Sequence, residues 1–147
     1  MAINKRGKQS FVPPIRPVIT AWASVAGKKE SEGPLNKYFD MTFQDTYFGE
    51  KTWEQAEKKM QQIALDKLAE KAGIKKTDFE LVLSGDLLNQ CVGSSYGLLS
   101  YDIPYFGLYG ACSTSVEGLM LAASMISGGH ARAAAAVTSS HNAAAER

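Results

Sequence analysis

Strand-like and helix-like stretches alternate along this chain, and that alternation restricts its fold more than any other feature. Residues 79–84 (Phe79, Glu80, Leu81, Val82, Leu83, Ser84) read as a strand, and residues 93–101 as a short helix that packs through Tyr96, Leu98 and Leu99. Residues 104–109 are aromatic and apolar, as a buried strand would be. From Val116 the apolar positions fall at 116, 119, 120, 123 and 126, which is helical spacing, and Gly128 and Gly129 stop the helix. Residues 131–138 have helical propensity, but their place in the alternation makes them a strand. Upstream, residues 17–25 are the first strand candidate. A helix starts at Trp53, with Thr52 as its cap, Gln55 completing a capping box and Gly73 as its stop. Its apolar face is Trp53, Ala56, Met60, Ile63, Ala64 and Leu68, so it reads as a cover helix without a site. This order implies an α/β fold, a mainly parallel sheet with helices on both faces.

Composition bounds the function classes. A chain of 147 residues is ordinarily one domain, and 45% hydrophobic with 21% charged residues fits a globular protein. The net charge of +1 provides no global field for nucleic acid. Two cysteines, Cys91 and Cys112, make no disulfide framework. No window approaches the length of a membrane span, and the first residues have no secretory h-region. Lys5, Arg6, Lys8 and Arg16 make residues 1–16 a basic, extended arm. That arm is either solvated or a weak contact for an anionic membrane face or partner. Residues 28–49 form a long excursion carrying Tyr38, Phe39, Phe43, Tyr47 and Phe48, which cover either their own core or a partner.

Polar residues cluster where the strands end, which is where α/β folds place ligand contacts. Cys112 lies between a strand and a helix. A helix N-terminus offers free N–H groups and partial positive charge, so a thiolate there is favoured and its pKa should fall. Gly110 allows a sharp turn, and Ala111 and Ser113 leave room at the sulfur. The structural alternative is a small buried cysteine at a junction. After the strand at 79–84 come Asp86, Asn89 and Gln90, with the alternative that Asp86 only bonds backbone N–H groups in its own turn. After residue 138 come Ser139, Ser140, His141 and Asn142. His141 is a candidate proton donor, thiolate partner or anion contact, or a solvated cap. His130 reads as a helix C-terminal cap. The three loops are expected to meet on one edge of the sheet.

The run Gly110-Ala111-Cys112-Ser113-Thr114, after a strand and before a small-residue helix, resembles the nucleophile segment of the thiolase and β-ketoacyl synthase superfamily. More closely, residues 5–147 resemble the stage V sporulation protein AD family of spore-forming bacteria. The most specific parts are Phe11-Val12-Pro13-Pro14, the stretch from Ser84 through Gly85, Asp86, Leu87, Leu88 and Asn89 to Gln90, and the Cys112 segment. The resemblance implies a thiolase-like fold, first half only, with residues 17–147 as a half-domain ending before its last strand. The chain is then expected to be a piece of a longer protein, whose second half would supply the partners of the nucleophile.

The resemblance implies a non-catalytic protein that binds dipicolinic acid for uptake during sporulation. It would work peripherally at the forespore or spore inner membrane with membrane-embedded subunits of one transport complex, and a homodimer is a further expected assembly. The expected ligand contacts are Asp86, Asn89, Gln90, Cys112, Ser113, Ser139 and His141. No resident cofactor or metal is expected, although calcium accompanying the ligand would offset the charge of Asp86. One alternative is an acyltransferase with Cys112 as nucleophile. Another is a scaffold that uses the basic arm and the aromatic excursion.

Overall fold

The computed structural model describes residues 4–87 and 91–140. Its elements are β1 (Asn4–Arg6), β2 (Ser10–Val12), β3 (Val25–Ala26), α1 (Lys28–Ser31), β4 (Met41–Thr42) and α2 (Trp53–Ala72). They continue with β5 (Leu81–Gly85), α3 (Val92–Leu98), β6 (Tyr105–Gly107), α4 (Thr114–Ser127) and β7 (Ala134–Thr138).

Three parallel strands in the order β6-β5-β7 carry the core. All five residues of β5 are buried, and they alternate between two apolar clusters. Val82 packs with Leu65, Ala69, Phe79, Leu98, Ala135 and Val137 on the α2 and α3 face. Leu81 and Leu83 pack with Leu108, Ala122 and Ala131 on the α4 face. Helices therefore cover both faces of a parallel sheet, as the alternation required. The chain leaves β5 for α3 on one face and leaves β6 for α4 on the other. Adjacent strands whose connections part to opposite faces open a crevice at their carboxyl ends, and the candidate site lies there.

Residues 134–138 do form a strand, paired with β5 from Leu81↔Ala134 to Gly85↔Thr138. Burial between β5 and α2 outweighs the helical propensity of the alanine run. Helix α2 is capped as expected. The Thr52 Oγ1 accepts from the Gln55 N–H at 3.3 Å, and Gly73 ends the helix at φ 68°. The Gln55 side chain reaches one residue further back, accepting from the Lys51 N–H at 3.2 Å.

Several expectations are corrected. The buried stripe of α2 is Ala56, Glu57, Gln61, Leu65 and Ala69, rotated from the apolar stripe expected, because Glu57 and Gln61 meet polar groups at the strand ends. In α4 the expected face of Val116, Leu119 and Met120 is exposed, Val116 by 58%. Thr114, Gly118 and Ala122 face the sheet instead. Small residues there let the helix sit close: a Cβ on Gly118 would lie 3.3 Å from both the Ala136 Cβ and Leu108 Cδ1. Strand β6 lies at one side of the three-stranded order and its Phe106 is exposed, so it is no buried strand.

The arm expected to be extended is a hairpin, β1 antiparallel to β2, turning at Gly7 with φ 66°. Of the strand expected over residues 17–25, only Val25 pairs, as part of β3 beside β4. Val18, Ile19 and Trp22 are exposed, since β-branched residues make a strand only where a partner strand receives them. The excursion over residues 28–49 packs partly on its own chain. Phe43 and Phe48 have ring centroids 4.8 Å apart, and Tyr47 stacks on Trp53 at 4.0 Å. Tyr38 stays exposed. The Lys71 Nζ ties this region to α2 by donating to the Asp40 Oδ1 at 2.7 Å. Among the described residues, no helix is long and apolar enough to cross a membrane.

Candidate functional site

Gly85 closes β5 where three elements touch. A Cβ there would overlap the Leu108 carbonyl oxygen and lie 2.7 Å from the Thr114 Cγ2, so only glycine fits. The next residue, Asp86, is 1% exposed. Its Oδ2 accepts from the Ser94 N–H at 2.8 Å, which bonds the loop to the following helix across eight positions. Its Oδ1 is buried and has no hydrogen-bond partner among the described residues. Part of the simpler alternative therefore holds, since Asp86 does bind backbone, but one oxygen is left over. A buried carboxylate oxygen left without a donor costs about 1–3 kcal/mol, and among the described residues no donor reaches this one.

Around Asp86 lies a set of polar groups that the sequence reading passed over. The Ser94 Oγ donates to the Cys91 carbonyl at 3.1 Å and accepts from the Tyr105 hydroxyl at 3.0 Å. The Cys91 thiol donates to the Leu108 carbonyl at 2.7 Å, so the loop after β5 is bonded to the loop after β6. Burial pushes the Cys91 thiol up, the Asp86 charge adds to the push, and the Glu117 charge adds a little more. Cys91 is thus held as a protonated thiol, and it starts α3 at φ 72°.

On the opposite side, α2 holds the end of β7. The Gln61 amide accepts from the Ser84 hydroxyl at 3.0 Å and donates to the Gly85 carbonyl at 3.2 Å and the Ser139 Oγ at 2.8 Å. The Ser139 hydroxyl donates to the Glu57 Oε1 at 2.7 Å. Ser139 therefore engages α2, while its own N–H donates to the Gly85 carbonyl at 3.3 Å. The helix read as a cover without a site in fact supplies Glu57 and Gln61 to the strand ends. The available signal was their i, i+4 spacing, two polar residues on the side of α2 that turns to the sheet.

Cys112 lies in a 3₁₀ turn, Ala111–Ser113, immediately before α4, and it is exposed. Ala111 precedes it at φ 48°, a left-handed conformation that alanine adopts only at a cost. The turn is drawn tight on its own backbone. The Ser113 Oγ donates to the Gly110 carbonyl at 2.6 Å, and the Gly110 N–H donates to the Thr114 Oγ1 at 3.2 Å. A Cβ on Gly110 would collide with the Glu117 carboxylate and lie 2.8 Å from the Ser113 Oγ. The expectation of a small buried cysteine at a junction is set aside, since the thiol is open to solvent at the start of a 14-residue helix.

The loops after all three strands thus lie on the carboxyl edge of one sheet. Asp86 and Cys91 follow β5, Cys112 and Ser113 follow β6, and Ser139 follows β7. Asn89, Gln90 and His141 lie outside the described residues. His130 stands at the end of α4, its N–H donating to the Met125 carbonyl at 2.9 Å. Among the described residues no group of three or more His, Cys, Asp or Glu side chains is placed to hold a metal ion. The arrangement offers an exposed cysteine and serine at a helix start, next to a hydrogen-bonded polar layer that contains two buried carboxylates.

Comparison with known proteins assigns the lineage. Residues 7–147 match the family described as Stage V sporulation protein AD (SpoVAD). The chain is also 40% identical over 141 residues to the Stage V sporulation protein AD of Bacillus subtilis (strain 168), an alignment covering 96% of this chain and 42% of that relative. The chain therefore spans less than half of the curated relative's length, and it belongs to the stage V sporulation protein AD family of sporulation proteins.

Proposed function

We propose that the carboxyl edge of the β6-β5-β7 sheet forms part of a binding site for dipicolinic acid, used in its uptake during sporulation at the spore inner membrane. The observation that carries this reading is the start of α4 at the crevice between β5 and β6, where Cys112 and Ser113 are exposed. The free N–H groups and partial positive charge of a helix start suit a carboxylate. Membership of the sporulation family supports the choice of ligand. Membrane-embedded subunits would be the partners in transport, and calcium travelling with the ligand would offset nearby carboxylates.

The test is calorimetric titration of dipicolinic acid, with and without calcium, into this chain and into a full-length family protein that contains it. Saturable binding by the full-length protein supports the reading. Binding by this chain as well confines the site to the edge described above. No binding by either overturns it. The exposure of Cys112 favours one second reading, acyl transfer through a thioester on its sulfur. Labelling of Cys112 by an acyl thioester, in a protein that does not bind dipicolinic acid, would establish that alternative.

A further inference from the structure

We propose that the basic arm at the start of the chain is a lipid-facing surface, which seats the protein on an anionic bilayer. It rests on the function proposed above for the choice of membrane, but not for its chemistry, which is the same whatever ligand the carboxyl edge holds. Charge along the chain is the starting point. Lys5, Arg6, Lys8, Arg16, Lys28 and Lys29 all precede the first acidic residue, Glu30. The whole chain has a net charge of +1, so everything from Glu30 onward is net negative. A chain with its excess positive charge collected in one stretch is oriented by an anionic surface, with that stretch inward.

The fold gathers most of these cations on a hairpin. Strands β1 and β2 pair with Lys5 opposite Phe11 and Arg6 opposite Ser10, and the turn between them holds Gly7, at φ 66°, and Lys8. Opposed residues of an antiparallel pair share a face, and the next pair takes the other face. Lys5 and Phe11 are therefore neighbours on one face, Arg6 is on the other, and Lys8 is at the tip. Lys5, Arg6, Lys8 and Arg16 are all exposed. So are two large apolar side chains, Phe11 by 51% and Ile15 by 54%. An arm that is only solvated gains nothing from apolar side chains open to water. At a bilayer the combination is favourable: the ammonium and guanidinium groups meet anionic headgroups, while the Phe and Ile side chains enter the boundary beneath them. A protein partner would have to match its acidic groups to each cation. Cations spread over both faces and the tip of a short hairpin suit a surface of many mobile headgroups instead.

The test is co-sedimentation, without dipicolinate, of a full-length family protein that contains this chain. Two kinds of vesicle are compared, one of phosphatidylglycerol and phosphatidylcholine in equal parts and one of phosphatidylcholine alone. The protein should pellet with the anionic vesicles and not with the neutral ones, and it should be released as salt is raised. Lys5→Gln, Arg6→Gln and Lys8→Gln together should weaken binding about a hundredfold, at roughly fivefold for each cation lost. Urea unfolding of this variant should match the wild type, because all three side chains are exposed. Phe11→Ser with Ile15→Ser should weaken binding without changing its salt dependence. No binding to the anionic vesicles overturns the proposal, as does equal binding to both kinds. Undiminished binding by the triple variant overturns it by placing the contact elsewhere. Binding to native membranes that protease treatment abolishes, without binding to vesicles, overturns it in favour of an acidic protein partner. Because no dipicolinate is present, failure of ligand binding at the carboxyl edge is seen apart from failure of this contact.

Discussion

Cys91 and Cys112 both lie at the carboxyl edge of the β6-β5-β7 sheet and should behave oppositely. Cys91 is partly buried, donates to the Leu108 carbonyl and is held protonated, whereas Cys112 is open to solvent. Alkylation of the native protein at neutral pH should give one fast-reacting thiol, and Cys112→Ala should remove it; peptide mapping identifies the site. Fast modification of Cys91 would contradict the described burial. Gly85 supports a second prediction at this scale. Its missing side chain is where the Leu108 carbonyl and Thr114 pack, and both belong to the neighbouring strand and helix. Gly85→Ala should cost about 2 kcal/mol or more in urea unfolding, because backbone rather than a flexible side chain would have to yield. Neither feature is visible in the residues themselves. Cys112 was legible as a candidate at a strand end, but which thiol is masked depends on what folds over it, and the constraint on Gly85 depends on what packs against it.

At the scale of the element, α2 shows both what periodicity reveals and what it misses. Its limits follow from Thr52, Gln55 and Gly73, and Thr52→Ala should cost about 1 kcal/mol through loss of the cap to the Gln55 N–H. Its rotation about its own axis does not follow, because the apolar residues spread widely enough to permit more than one buried stripe. The stripe is settled by Gln61, whose amide bonds Ser84, Gly85 and Ser139. Gln61→Leu should therefore cost about 2–3 kcal/mol, more than the cap, despite the apolar replacement at a buried position, because three polar partners lose their bond. Thermal unfolding of the two variants side by side checks the order. In α4 the same ambiguity led to the opposite error: the larger apolar residues stand outside, and the sheet takes the small ones because the helix approaches too closely for anything else.

Across the whole molecule, the pair Asp40 and Lys71 links the β3-β4 region to α2, and Lys71 also lies over the Trp22 ring at 5.4 Å from its centroid. The Lys71 ammonium holds the Asp40 carboxyl below its usual range; burial opposes this, and the Ser24 N–H assists. A carboxyl depressed by folding adds stability that is present above its unfolded value and lost as pH falls through its folded one. Asp40→Asn should therefore be less stable than wild type at pH 7. The difference should close below about pH 4, as the wild-type carboxyl takes its proton. Urea unfolding of both proteins over that range checks it, and a difference that persists at low pH would mean that the link is not electrostatic.

The order of strands and helices from α2 onward, the caps of α2 and the clustering of polar residues at strand ends were determined by the sequence alone, since all rest on local spacing and local backbone bonds. The family was legible in the same way, from short runs of adjacent residues. Tertiary structure decided the rest: which strand lies in the middle, which side of each helix is buried, and which polar groups face each other. Residues 17–24 stayed out of any strand because pairing needs a partner that local propensity cannot supply. Glu57, separated from Asp86 by many positions in the chain, became its neighbour only because α2 and α3 pack on one face of β5. Burial and charge proximity are properties of the packed molecule, and the chemistry of this edge depends on both.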